Sequence, residues 1–364
     1  DPKTQKMTDY GPMDPQEQYL SYLALDSAGW AYCGIGTARY NIVAFNPKTR
    51  ERQQIVREED RKLGTATVYL GMDGKVYGRA GDQWYRLFEG NATPVAREAA
   101  APPAPTSAIG WHNVRGVFPD GRILKHYNLP ERWLEIEDPQ TKKTQRITFD
   151  YKSEGAQITS LVAGPDGRVY GSTAHPMHFF AHTPEKNALE DWGPVAHVGG
   201  GNFCAMAVQG KYIAAPSYSH GIFHLFDTTQ SFNGGMGDDP NPRELAEWSE
   251  DICRPRAALA HPDERHVLMA GYAGYGRRGG GLGIYDLVTG KATLITHKDL
   301  IPDQSTITLK AMPNGDLVGG TSVETPGGGH PAAKEGVLYI LDWKTKRVVF
   351  QTAPAPGARE VFSL

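Results

Sequence analysis

The sequence predicts an all-β fold, a β-propeller of four-stranded antiparallel blades. Three observations predict it: a turn pair recurring along the chain, a second turn following it at near-constant distance, and no convincing amphipathic helix. The first series reads Ala28-Gly29, Asp73-Gly74, Asp120-Gly121, Asp166-Gly167, Gln209-Gly210, Asp263-Glu264 and Asn314-Gly315, with spacings of 45, 47, 46, 43, 54 and 51 residues. Each pair lies between strand-like runs, as Ile158–Ala163 and Arg168–Ser172 flank Asp166-Gly167. Asp-Gly and Asn-Gly in that setting predict hairpins with type I′ turns, whose two central residues both take positive φ.

The second series begins about 17 residues after the first in most units. It reads Asn46-Pro47-Lys48-Thr49, Asp138-Pro139-Gln140-Thr141, Thr183-Pro184-Glu185-Lys186, Asp286 to Gly290, and Asp342-Trp343-Lys344-Thr345. Asp or Asn at the first position caps such a turn, and proline at the second presets φ. Each unit thus reads as four short strands. The nearest approach to a helix, Asp14 to Leu20, is short. Seven complete blades are expected in one domain spanning residues 1–364. An eighth, composite or truncated blade is suggested by the ends: Asp1-Pro2-Lys3-Thr4 matches the second turn series, and Arg359 to Leu364 reads as an unaccompanied first strand.

Composition narrows the function classes. Net charge is −3, from 38 basic and 41 acidic residues, which gives no electrostatic footprint for nucleic acid. No run approaches the roughly 18 apolar residues that span a bilayer. Cys33, Cys204 and Cys253 are too few and too scattered for a disulfide framework or a structural zinc site, and at most one pair could bridge. Gly279-Gly280-Gly281-Leu282-Gly283 precedes a strand rather than a helix, so it is not a phosphate loop.

Loop lengths direct attention to one rim. The links between first and second strands, and between third and fourth, read as tight turns. The other two sets read as longer and richer in Gly, His, Arg and Tyr, including Ser231 to Arg256 as one long link from a fourth strand into the next blade. Loops on a rigid scaffold are where binding and catalysis concentrate. The candidate catalytic residues there are His175, His197, Tyr218 and His220; Arg254, Arg256, Tyr272, Tyr275, Arg278, Lys334 and Trp192 are candidates for binding substrate. Candidate metal ligands are His175, His178, His197 and His220. His224 and His182 fall on third strands as packing or surface residues, and His261 and His266 flank a turn on the opposite face.

By repeat length, blade number and one-sided His, Tyr and Arg loops, the chain resembles the propeller-fold polysaccharide lyases and glycosidases that act on uronate-containing glycans, such as ulvan lyase and oligogalacturonate lyase. The resemblance implies an exported enzyme, secreted or periplasmic, with a polysaccharide or oligosaccharide substrate. β-Elimination at a uronate needs carboxylate neutralisation, removal of the C5 proton and protonation of the leaving oxygen. Arg254 or Arg256 suits the first, His175 or His197 the second and Tyr218 the third, with Tyr272, Tyr275 and Trp192 as sugar-stacking surfaces. Two other readings stand beside this one. One is a non-catalytic propeller that binds a glycan or a protein partner; the other is a glycan-active enzyme built on a divalent metal ion held by the histidines.

Overall fold

The computed structural model describes residues 8–17, 19–104, 116–118, 120–128, 131–150, 156–174, 176–198 and 201–364. Asp1-Pro2-Lys3-Thr4 and His175 lie outside the described residues. Seven antiparallel sheets account for the named strands, and no α-helix occurs among the described residues. The fold is a β-propeller, and the sheets are its blades. By contacts the chain falls into two compact units, Asp1–Ser153 and Glu154–Leu364.

The first unit holds three blades. Blade 1 runs Leu20–Leu25, Ala31–Thr37, Asn41–Phe45 and Arg52–Gln54; blade 2 runs Thr67–Leu70, Val76–Ala80, Gln83–Phe88 and Asn91–Val95. Blade 3 shows Ile123–Asn128, Trp133–Glu137 and Thr144–Thr148, with Val117 bridged to Ile123 where a first strand belongs. The second unit holds four. Blade 4 runs Gln157–Ala163, Val169–Ala174, Phe179–Thr183 and Ala188–Gly193. Blade 5 begins with a broken first strand, Asn202–Phe203 and Ala207–Gln209, then continues with Tyr212–Tyr218, Ile222–Asp227 and Arg243–Glu247. Blade 6 runs Arg254–Ala260, His266–Tyr272, Gly281–Asp286 and Ala292–Thr296; blade 7 runs Ser305–Ala311, Leu317–Ser322, Leu338–Asp342 and Arg347–Thr352.

Burial explains the composition of each strand. Second and third strands such as Tyr212–Tyr218, Ile222–Asp227 and Gly281–Asp286 are buried almost throughout, so they read as unbroken apolar and small runs. Fourth strands form exposed edges, polar in Arg52–Gln54 and mostly so in Arg243–Glu247, while Arg347–Thr352 leaves Val349 and Phe350 exposed. Cores lie between neighbouring sheets: Tyr170, Phe179, Phe203 and Phe226 join blades 4 and 5, and Leu268, Leu282, Leu317 and Tyr339 join blades 6 and 7.

Every predicted turn of the first series joins a first and a second strand, but the turns are not type I′. Positive φ is confined to the last residue, from 56° at Glu264 to 91° at Gly29. The bonds from Gly74 N to Gly71 O (3.1 Å) and from Gly71 N to Lys75 O (2.8 Å) define a type I turn closed by one left-handed residue. In the second series Asn46, Asp138, Asp286 and Asp342 accept backbone N–H groups as expected, and the left-handed residue comes four positions later, at Arg50, Lys142, Gly290 and Lys346.

Two other expectations change. Ser231 to Arg256 is not one link: it contains the fourth strand of blade 5, Arg243–Glu247, and the long insertion is 228–242, between third and fourth strands. Its helix-favouring composition, Arg-Glu-Leu-Ala-Glu, hid that strand. The expected lengthening of links between second and third strands is strong only in blades 6 and 7, at 273–280 and 323–337, against 81–82 in blade 2. Asp14 starts no helix. Its carboxylate instead accepts from Gln16 N, Glu17 N, Asn41 Nδ2 and Arg61 Nη2, tying the first segment to blade 1.

Arg359–Leu364 pairs with blade 7 only as an isolated bridge, Glu360 to Ser322, and makes no named strand. All three cysteines are free thiols. No helix among the described residues is long and apolar enough to cross a membrane.

Candidate functional site

In an antiparallel blade the C-terminal ends of the second and fourth strands share an edge with the N-terminal end of the first. In the second unit this edge collects Tyr218, Arg254 and Tyr272 at strand ends, and Tyr275 in the 273–280 link. Arg254 pairs in register with Tyr272. Its guanidinium lies 4.5 Å from the ring centre of Tyr275 and 5.3 Å from that of Tyr218, and the two phenol oxygens are 3.0 Å apart. The peptide after Tyr218 is cis.

Arg256 is placed by an irregularity. Pairing jumps from Pro255–Gly271 to Ala257–Ala270, leaving Arg256 as the extra residue of a β-bulge. A bulge re-aims the side chain it carries. Arg256 is exposed and sits 5.6 Å over the ring of Phe362. Neither arginine forms an ion pair among the described residues, and Nη1 of Arg254 is buried without a hydrogen-bond partner. An arginine fork with an unused buried donor is poised for an oxygen anion.

Beside them, Glu360 accepts from Tyr272 Oη at 2.9 Å and Ser322 Oγ at 2.6 Å. Burial, reinforced by that carboxylate, pushes the Tyr272 phenol up to about 12, so Tyr272 serves as a hydrogen-bond donor rather than a base. Gly327, from the 323–337 link, packs on Arg254: a Cβ there would fall 3.1 Å from Nη1.

The remaining described candidates make contacts of their own. His197 is exposed and its Nδ1 is 2.8 Å from Glu244, on the outermost strand of blade 5 rather than with the arginines. His178 faces both oxygens of Asp191, at 2.9 and 2.8 Å, and His220 has Ser219 Oγ at 3.3 Å. His178, His197 and His220 thus have separate partners, and no group of three His, Cys, Asp or Glu side chains suited to a metal occurs among the described residues. Trp192 is not an open stacking surface: it packs against the core of blades 4 and 5, 5.4 Å from Phe232 and nearly parallel to it. Arg278 is engaged by Asp303 at 2.8 Å, and Lys334 is exposed.

A cavity of about 310 Å³ adjoins this group, lined by Glu250, Asp251, Arg277, Arg278, His297 and His330 among others. Its acids, His297 and Glu360 carried no sequence signal, because they occur singly in links with no recurring motif.

His224 is a buried histidine with a different role. Neither ring nitrogen has a hydrogen-bond partner among the described residues, and burial pushes the imidazole down to about 4, partly offset by Glu244 at 3.9 Å. The fold therefore holds it neutral, while the unfolded chain takes up a proton near the ordinary value of about 6.5. Its contribution is complete above that value and is lost as pH falls towards 4. The loss is roughly 3 kcal/mol across that window. Denaturant titrations at several pH values should show this slope, and His224→Phe should flatten it; an unchanged slope in the variant would refute the assignment.

No family model and no curated protein sequence matches the chain. Among solved structures it is similar to a streptogramin B lyase, at 10% identity over 84% of this chain and 91% of that one, with a TM-score of 0.34. Virginiamycin B lyase from Staphylococcus aureus with quinupristin gives 10% identity, 84% and 93% coverage and a TM-score of 0.32. The dihydro-heme d1 dehydrogenase NirN gives 11%, 94%, 68% and 0.38.

Proposed function

We propose that the Arg254–Tyr218–Tyr275 group binds a carboxylate-bearing sugar, and that the protein is a polysaccharide lyase acting on a uronate-containing glycan by β-elimination. The observation that carries this reading is the pair of guanidiniums, Arg254 and Arg256, without ion-pair partners among the described residues, Arg254 lying over the phenol rings of Tyr218 and Tyr275. In a protein of net charge −3 such cations are suited to a ligand anion rather than to general surface charge.

In the proposed reaction the arginines neutralise the carboxylate, which acidifies the C5 hydrogen. His220, two residues beyond Tyr218 on the same link, takes that proton. The C5–H electron pair forms the C4–C5 double bond, the C4–O bond breaks, and Tyr218 gives its proton to the departing oxygen. Export to the periplasm or medium accompanies this reading, since polymeric glycans meet enzymes there.

Incubation with a panel of uronate glycans, followed by ultraviolet absorbance of the unsaturated product, tests the reaction. Wild type should generate product. Tyr218→Phe should lower turnover about 100-fold or more, the usual contribution of a positioned acid, while leaving substrate affinity within about twofold. Ligand held unchanged through long incubation would replace the lyase with a binding protein.

A further inference from the structure

The cavity beside Arg254 is not a second anion site. Arg277 is met by Glu250 at 2.9 Å and Arg278 by Asp303 at 2.8 Å, and Asp251 adds a further carboxylate to the wall. An anionic group entering would find guanidiniums already neutralised and two acids facing it. What the walls do offer is an alternation of fixed donors and acceptors. His297 contributes one of known sense: its Nδ1 accepts from Asp303 N at 2.9 Å, so the neutral ring carries its proton on Nε2 and donates from there.

The walls are held by close backbone approach. A Cβ on Gly279, whose φ is +79°, would lie 2.4 Å from Cγ of His297, and one on Gly329 would lie 2.1 Å from the carbonyl oxygen of Arg277. Only glycine permits either contact: the first seats the 273–280 link on His297, just after the fourth strand of blade 6, and the second sets the 323–337 link against it. Gly276 N also donates to Gly327 O at 3.0 Å, and Gly327 is the residue that covers Arg254. The carboxylate site and the cavity therefore share a wall.

From this arrangement we infer that the cavity is a subsite for an uncharged sugar ring adjoining the carboxylate-bearing one, an inference that rests on the uronate reading above. Each sugar hydroxyl both donates and accepts, which suits Asp251, Glu250 and His297 together. At about 310 Å³ the space is at the small end of ligand pockets, enough for one ring rather than several. The preferred glycan thus alternates uronate with a neutral, unsulfated sugar.

Calorimetry with two oligosaccharides of equal length tests this, one of uronate only and one alternating uronate with neutral hexose. Wild type should bind the alternating oligomer about tenfold more tightly, the worth of one or two net hydrogen bonds. The double variant Asp251→Ala/His297→Phe should reduce that preference to within about twofold while keeping its affinity for the uronate oligomer. Equal binding of both oligomers by wild type would overturn the subsite and leave the carboxylate site standing, as would a variant that weakens both alike. Failure to bind either oligomer would overturn the carboxylate site, and the subsite with it.

Discussion

Arg254→Ala is expected to weaken binding of a uronate oligosaccharide at least about 30-fold, corresponding to roughly 2 kcal/mol or more for a largely desolvated charge-assisted contact. Arg256→Ala should cost far less, a few-fold at most, because its guanidinium is exposed and screened. Isothermal titration of both variants against wild type measures the contrast. Stability should move the other way. Arg254 keeps Nη1 buried without a partner, a cost that the free protein carries for function. Arg254→Met retains much of the packing on Tyr218 and Tyr275 and removes that group, so its thermal midpoint should equal or exceed that of wild type. A variant that binds normally, or one whose affinity falls only in step with lost folding, would remove the arginine from the site.

The second large effect concerns the fold of the first unit. The Asp14–Arg61 pair is 2.8 Å apart, with side chains 0% and 4% exposed. Burial by itself would raise the Asp14 carboxyl, but the Asn41 amide, the backbone N–H groups of Gln16 and Glu17 and the Arg61 guanidinium hold it below the usual carboxylate range. Asp14→Ala leaves a buried arginine without its main counter-charge, and breaking a buried pair in this way costs about 3–5 kcal/mol. Asp14→Asn keeps the hydrogen-bonding shape and should cost less. Hydrogen exchange over Ala31–Phe45 reads the loss locally, and it should accelerate far more in the alanine variant. Since folding lowers this acid, its contribution is present above the ordinary carboxylate range and disappears only as pH falls through the lowered value.

The division between what the sequence revealed and what it concealed has physical causes. Recurring Asp-Gly and Asn-Pro pairs marked both families of hairpin because turn geometry constrains a few residues locally. The turn type was misjudged because one left-handed residue and two give similar sequences. Loop side put Tyr218, Arg254, Tyr272 and Tyr275 on the candidate list but did not separate them from the other candidates there. The partners of His197 and Trp192 were not legible: His197 is claimed by Glu244, 47 residues distant, and Trp192 by the aromatic core around Phe232. Neither pairing leaves a trace in local pattern. The bulge at Arg256 was equally hidden, since an extra residue in one strand shows only against its partner's register. Blades 1, 4 and 7 carry the same irregularity at Ser21, Thr159 and Ile307, so it belongs to the repeat.

The glycine interlock between the two long links has a mechanical meaning. A methyl group at Gly329 would collide with the Arg277 carbonyl, so a side chain there should force the two links apart and loosen the wall over Arg254. Under the proposed function, a sugar bound beside Arg254 would meet these two links already in contact with each other.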